Sequence, residues 1–300
     1  MSPLGSALVD YLAVRRALGY RLDEVGRQLA SFVAHLDAEA VATVTVAAAI
    51  DWASSTPNGG SGACRLAAIR GFARYLQALD PAHEVPPRGA LPARTTRRIP
   101  HLYSDSDIAM LMAAARTLEP AAWAATVETI VGLLWTTGMR IGEVLRLNVE
   151  DLDRDAAVLT VWLSKFGKSR IVPLTPSTIN ALDRYRAGVP AADTGAMFIA
   201  ANRARASYAR FNIDFSRMLD STGITSAAGR RPHAHDLRHS FAVRTLLGWY
   251  RDGADIHALL PRLSTYLGHV EPASTYWYLS AAPELMALAV ERLEPTGAHR

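Results

Sequence analysis

Apolar residues recur at helical spacing through the first 80 positions. Residues 6–18 carry the period and stop at Gly19. Residues 22–36 resume it, with Val25, Leu29, Phe32, Val33 and Leu36 on one face. A third stretch, about 44–54, runs into Ser-Ser-Thr-Pro-Asn-Gly-Gly, a run that breaks helices. A fourth, 62–79, places Leu66, Ile69, Phe72 and Tyr75 on one side and Arg65, Arg70 and Arg74 on the other. The pattern predicts a bundle of four short helices over 1–85. Residues 86–101 are rich in Pro and Arg and have no period, so they read as a linker to a second unit over 102–300.

The second unit opens with a helix near Ser104, where Asp107 three positions on makes a capping-box-like start. Residues 127–136 read as a buried helix. It is interrupted at Thr137-Gly138 and resumes over 141–147. Two β-patterned runs, 157–163 and 170–174, flank Ser164-Lys165-Phe166-Gly167-Lys168 and predict a hairpin, and 197–200 reads as a third strand. The remainder is helical in pattern: 177–186, 207–221, 235–250, 256–267 and 283–293. The fold class expected is mainly α with a small antiparallel β-sheet: an all-α N-terminal domain followed by an α+β domain.

Composition narrows the function classes. Half of the 300 residues are hydrophobic and a fifth are charged, which excludes disorder over most of the length. No apolar run approaches the ~20 residues that span a bilayer, so no membrane partner is expected. Residues 1–10 show neither a basic nor a long apolar leader pattern, and the single Cys64 cannot form an internal disulfide. A cytoplasmic location is therefore expected. The net charge of +4 is concentrated: residues 86–101 hold Arg88, Arg94, Arg97 and Arg98 and no acid. Such a cluster suits contact with a polyanion, and equally a solvated linker. Of the 32 basic residues, 30 are Arg, and the two lysines, Lys165 and Lys168, stand three apart in the predicted turn. Lys can release a proton near neutral pH where Arg cannot, which points to acid–base chemistry there.

Several polar residues sit where a plain core would have none. Arg140 and Glu143 stand at i and i+3 among apolar neighbours, a position where an Arg needs an anionic partner. His235 and Arg238 repeat that spacing. Leu267-Gly268-His269 closes a helix, and Thr275-Tyr276-Trp277-Tyr278-Leu279 follows. Singly, each reads equally as a salt bridge, a surface pair or core packing. A zinc site from His233, His235, Asp236 and His239 fits poorly. Asp236 directly follows a His rather than standing two beyond it, and Arg238 would repel the cation.

Together these residues resemble the tyrosine recombinase (phage integrase) family. The resemblance rests on Thr137-Gly138-Met139-Arg140-Ile141-Gly142-Glu143-Val144-Leu145, on Lys165 in the hairpin, on Arg170-Ile171-Val172-Pro173-Leu174, on His235-Asp236-Leu237-Arg238-His239 and on Leu267-Gly268-His269, with Tyr278 nine residues on. It covers nearly the whole chain: a core-binding domain over 1–85, a basic linker over 86–101 and a catalytic domain over 102–300. Tyr-Trp-Tyr-Leu and the early Arg-Ala-Leu-Gly-Tyr look more like recombinases of bacterial transposons, including those encoded as adjacent trios, than like chromosome-dimer resolvases.

The resemblance implies a catalytic set of Arg140, Lys165, His235, Arg238, His269 and Tyr278, with Glu143 orienting Arg140. Tyr278 attacks a DNA phosphodiester to form a 3′-phosphotyrosine. Lys165, favoured over Lys168 by its position 25 residues after Arg140, protonates the leaving 5′-oxygen. His235 accepts the phenol proton or positions the phosphate, and His269 donates to a phosphate oxygen. Neither cofactor nor metal is implied. The partners implied are double-stranded DNA and either further copies, as a tetramer on paired sites, or related recombinases, with Arg94, Arg97, Arg98 and Lys168 as further DNA contacts. The C-terminal helix over 283–293 packs on its own domain or on a neighbour. Two other readings share the motifs: a silent DNA-binding subunit, and a relaxing enzyme of the type IB topoisomerase kind.

Overall fold

A computed structural model describes residues 2–20, 22–55, 59–92, 99–162, 169–190, 195–226 and 229–268. The chain divides into two compact units, Met1–Arg98 and Ile99–Arg300. The cut falls inside the stretch read as a linker.

The first unit holds α1 (Pro3–Ala17), α2 (Asp23–Ala38), α3 (Val46–Ser54) and α4 (Gly59–Leu79). Ser2 caps α1 by accepting from the Gly5 N–H (3.0 Å), and Thr45 caps α3 by accepting from Ala48 (3.2 Å). Leu29, Phe32 and Leu36 of α2 and Ile69 and Phe72 of α4 lose all solvent contact and form the centre of this core. The helix α4 starts three residues earlier than the breaker run implies. Within it, a Cβ at Gly62 would stand 3.0 Å from the Ala53 carbonyl, so the glycine eases the close approach of α4 to the end of α3. Two of the three arginines expected in solvent are in use. Arg65 lies 3.6 Å over the Trp52 ring, and Arg70 donates to the carbonyls of Pro86 and Pro87 (2.8 Å each). With Ala90 and Leu91 packed on the same core, the first part of the supposed linker is fastened to the helical unit.

The second unit is built around α6 (Ala121–Thr137), whose apolar sides pack on α5 (Asp105–Arg116), α8 (Pro176–Gly188) and α10 (Ala234–Arg251). The Ser104–Asp107 capping box forms as expected (3.1 and 2.9 Å). After α6 come the single turn α7 (Ile141–Val144), a 3₁₀ turn (Val149–Asp151), three strands, then α8, α9 (Tyr208–Thr222), α10 and α11 (Ile256–Leu267). The predicted helix over 141–147 stops early: Arg146 and Leu147 donate to the carbonyls three residues back (3.1 and 3.2 Å) rather than four, and Arg205 takes the carbonyls of Leu145 (3.1 Å) and Leu147 (2.9 Å) left beyond the turn.

The sheet corrects one expectation. The hairpin partners pair antiparallel as β2 (Val158–Val161) and β3 (Arg170–Pro173), in the register Leu159 to Val172 and Val161 to Arg170. The third strand is β1 (Leu152–Asp153), on the other edge of β2. Residues 197–200 form no strand. They are buried and tied to the end of the α7 region by Met197 N–H to Leu147 O (2.9 Å), with isolated bridges at Asn148–Ala196 and Ile199–Arg205. A short apolar run satisfies its backbone either way, and here the loop after α7 provides the partners. Among the described residues no helix is long and apolar enough to cross a membrane.

Candidate active site

The site is assembled by helix ends. The helix α6 terminates at Gly138 in the left-handed conformation (φ +60°), its N–H closing on Leu134 O (3.0 Å). A Cβ at Gly138 would also stand 2.4 Å from Cδ1 of Phe241 on α10. Glycine is thus required by conformation and by space. Gly138→Ala is expected to destabilise the protein by about 2–5 kcal/mol, read as a lowered midpoint in urea.

Two residues on, Arg140 is the N-cap of α7. The carboxylate of Glu143 reaches back to the Arg140 N–H (3.0 Å) and accepts from Arg140 Nη1 (2.8 Å). The i, i+3 pair is therefore a helix start as well as an ion pair. A third group completes it. Arg170 at the head of β3 donates from both terminal nitrogens to Glu143, Nη1 to Oε1 (3.0 Å) and Nη2 to Oε2 (2.7 Å), a forked pair. Burial alone would raise the Glu143 pKa. The Arg170 hydrogen bonds and charge, joined by those of Arg140, win and bring it down to about 2.

Three arginines then meet the C-terminal end of α11. Arg170 Nε donates to Tyr266 O (2.8 Å), Arg238 Nη2 to Leu267 O, and Arg140 Nη2 to Gly268 O (3.1 Å). Consecutive carbonyls of one helix end thus receive guanidiniums from β3, α10 and the start of α7. The negative end of the helix dipole favours cations there. Arg238 is 1% exposed and also donates to Gly138 O (2.9 Å), which binds the end of α6 into the same cluster. The Arg140 side chain keeps 22% of its surface exposed and so faces the open side.

His235 lies one turn before Arg238 on α10, its ring edge-on to His239 with centroids 4.9 Å apart. It is open to solvent on one side and enclosed on the other. That partial burial, followed by the charge of Arg238, lowers its pKa below 6.5, so the ring is neutral at pH 7. Among the described residues no three His, Cys, Asp or Glu side chains gather to hold a metal ion.

Of the residues singled out in the sequence, the structure brings together Arg140, Glu143, His235 and Arg238. Lys165, Lys168, His269, Tyr276, Tyr278, Arg94, Arg97 and Arg98, and the helix expected over 283–293, lie outside the described residues. The sequence reading gave Arg170 no role. Its signal is the strand alternation, which puts Arg170 on the same inward face as Val172.

Residues 103–284 match the phage integrase family. The chain is 40% identical over 313 residues to the integrase/recombinase y4rB of Sinorhizobium fredii (strain NBRC 101917 / NGR234), covering 98% of each protein. It is 31% identical over 226 residues to tyrosine recombinase XerD of Mycobacterium tuberculosis (strain ATCC 25618 / H37Rv), covering 73% of this chain and 68% of that one. The fold is shared with the crystal structure of XerA recombinase (22% identity, TM-score 0.53, 97% and 98% of the two chains). It is shared too with the Tn1549 transposon integrase in complex with transposon right end DNA (15% identity, TM-score 0.65, 97% and 99%). The chain belongs to the phage integrase family, the tyrosine-type site-specific recombinases.

Proposed function

We propose that the protein cleaves and rejoins duplex DNA through a covalent 3′-phosphotyrosine on Tyr278, in the transposition or integration of a mobile element. The observation that carries this reading is the convergence of Arg140 and Arg238, from separate elements, on adjacent carbonyls at the end of α11. A phosphodiester entering beside them would find two guanidiniums able to hydrogen-bond its non-bridging oxygens, and the extra charge of a pentacoordinate phosphorus would be stabilised there. His235, held neutral, is suited to take the proton from the Tyr278 phenol, which otherwise ionises only near ~10. As the Tyr278 oxygen bonds to phosphorus, the bond to the 5′-oxygen breaks, and Lys165 gives that oxygen a proton. Attack by a second 5′-hydroxyl on the phosphotyrosine reverses the step on a new partner. The phosphodiester energy is conserved, so no nucleotide is consumed.

The helical unit over 1–85 serves in this reading as the core-binding domain and the unit from residue 102 as the catalytic domain. Paired sites call for a tetramer of this chain or an assembly with related recombinases. A nicked suicide duplex carrying the element's end tests the reading: the protein is expected to remain bonded to the 3′-phosphate after denaturation. Free cut ends without an adduct, or uncut DNA under tight binding, would overturn it.

The arginines at 94, 97 and 98 are expected to contact phosphates. Replacing all three with Ala should reduce the slope of log K against log salt by up to about 2.7, at about 0.9 per contact. An unchanged slope in a binding titration would assign them to solvent.

A further inference from the structure

All three guanidinium nitrogens of Arg170 have protein partners: two on Glu143 and one on Tyr266 O, with its side chain 10% exposed. Its hydrogen-bonding capacity is therefore directed inward, to Glu143 and the end of α11. Glu143, 1% exposed, receives four hydrogen bonds: two from Arg170 and two from Arg140. The carboxylate has one seat, with Arg170 fixing it from behind and Arg140 aimed by it in front. Arg170 also limits the helix end that the other arginines grip. A Cβ on Gly268 (φ +67°) would stand 3.2 Å from Arg170 Nη1, so the last residue before position 269 is shaped around this side chain.

We propose that Arg170 is a positioning residue for strand cleavage: it holds the carboxylate that aims Arg140 and ties that pair to the point where the chain leaves α11 toward residue 269. The proposal rests on the reading of the reaction given above. A guanidinium is needed because three acceptors, the two carboxylate oxygens and the Tyr266 carbonyl, each take a different nitrogen of one side chain, which the single nitrogen of a lysine ammonium cannot match.

The groups facing Glu143 are Arg140 at the start of α7, Arg170 on β3 and His235 on α10, while Arg238 of α10 acts on the Tyr266 phenol. The Tyr266 phenol on α11, pushed up to about 12 by burial, stays neutral throughout. In the intact protein the carboxylate is charged down to pH of about 2. With Arg170 gone, burial is opposed only by Arg140, and the carboxyl takes up a proton at higher pH. The protonated form accepts weakly from Arg140, so cleavage must fall as pH falls.

The test measures single-turnover adduct formation and duplex affinity with Arg170→Met and Arg170→Lys. The rate is expected to fall about 100-fold in both, with affinity held within about threefold. Both gain a further loss of rate on the acid side, beyond the one that protonation of His235 gives wild type, and Glu143→Gln combined with Arg170→Met removes that added loss. A wild-type rate and pH profile in either variant would overturn the proposal, as would a rate loss matched by lost affinity. Should Arg170→Met not fold, Arg170→Lys carries the comparison. Should wild type form no adduct, the reaction assigned above fails by itself. The ¹³C titration of the Glu143 carboxyl still decides the role of Arg170: an upward shift in Arg170→Lys supports it, and no shift overturns it.

Discussion

Tyr278→Phe is expected to abolish the covalent protein–DNA adduct while leaving duplex binding intact. The change removes one oxygen, the atom proposed to bond to phosphorus, so the expected loss is total rather than graded. A residual of even about 1% of the wild-type rate, beyond what neighbouring Tyr276 yields when it too is changed to Phe, would place the nucleophile elsewhere. Binding should persist because phosphate affinity comes from arginines and the protein–DNA electrostatics, not from the phenol. The measurement is a denaturing gel of a labelled suicide duplex, alongside a retardation assay on the same samples.

The second large effect is expected at Arg238. Arg238→Gln should slow adduct formation about 100- to 1000-fold, the usual cost of losing one donor to a developing oxyanion. It should also destabilise the fold, because Gly138 O and Leu267 O lose the donor they share. A buried acceptor left unmet costs about 1–3 kcal/mol. The two consequences separate experimentally. Rate is read at saturating DNA on protein confirmed folded at the assay temperature, and stability is read by urea midpoint. Arg238→Lys retains the charge and is expected to recover less than about a tenth of the rate, since one ammonium cannot reach both carbonyls and a phosphate together. A cleavage rate within about threefold of wild type in Arg238→Gln would remove this residue from the chemistry.

The candidate site was unevenly legible from residue types. Arg140 and Glu143 stood out as charges at three-residue spacing among apolar neighbours, while His235 and Arg238 repeat the spacing in a polar stretch and gained meaning only from the whole set. Arg170 gave a weaker sign, one Arg on the inward face of a short strand. Its meaning depended on Glu143, far back in the chain, and on the carbonyls of α11. The helices were legible because their apolar residues repeat every three or four positions over ten or more residues. Residues 197–200 misread as a strand because a short apolar run shows no period, and their hydrogen-bond partners are scattered over Leu147, Tyr185 and Ala204. The helix expected to run on to 147 tightens after Val144, and the donor that takes the carbonyls beyond it, Arg205, is distant in sequence.

What the chain's order of residues determined unaided is most of the described helices, the pairing of β2 with β3, the turn glycine at 138 and the identity of the charged groups that had to find partners. Each depends on neighbours a few positions away. Only the tertiary structure decided that three arginines from three elements close on successive carbonyls at the end of α11, and that Glu143 is shared between two of them. Those contacts join residues 140, 170, 238 and 266–268, and a charge removed from water accepts whichever partner packing brings within reach.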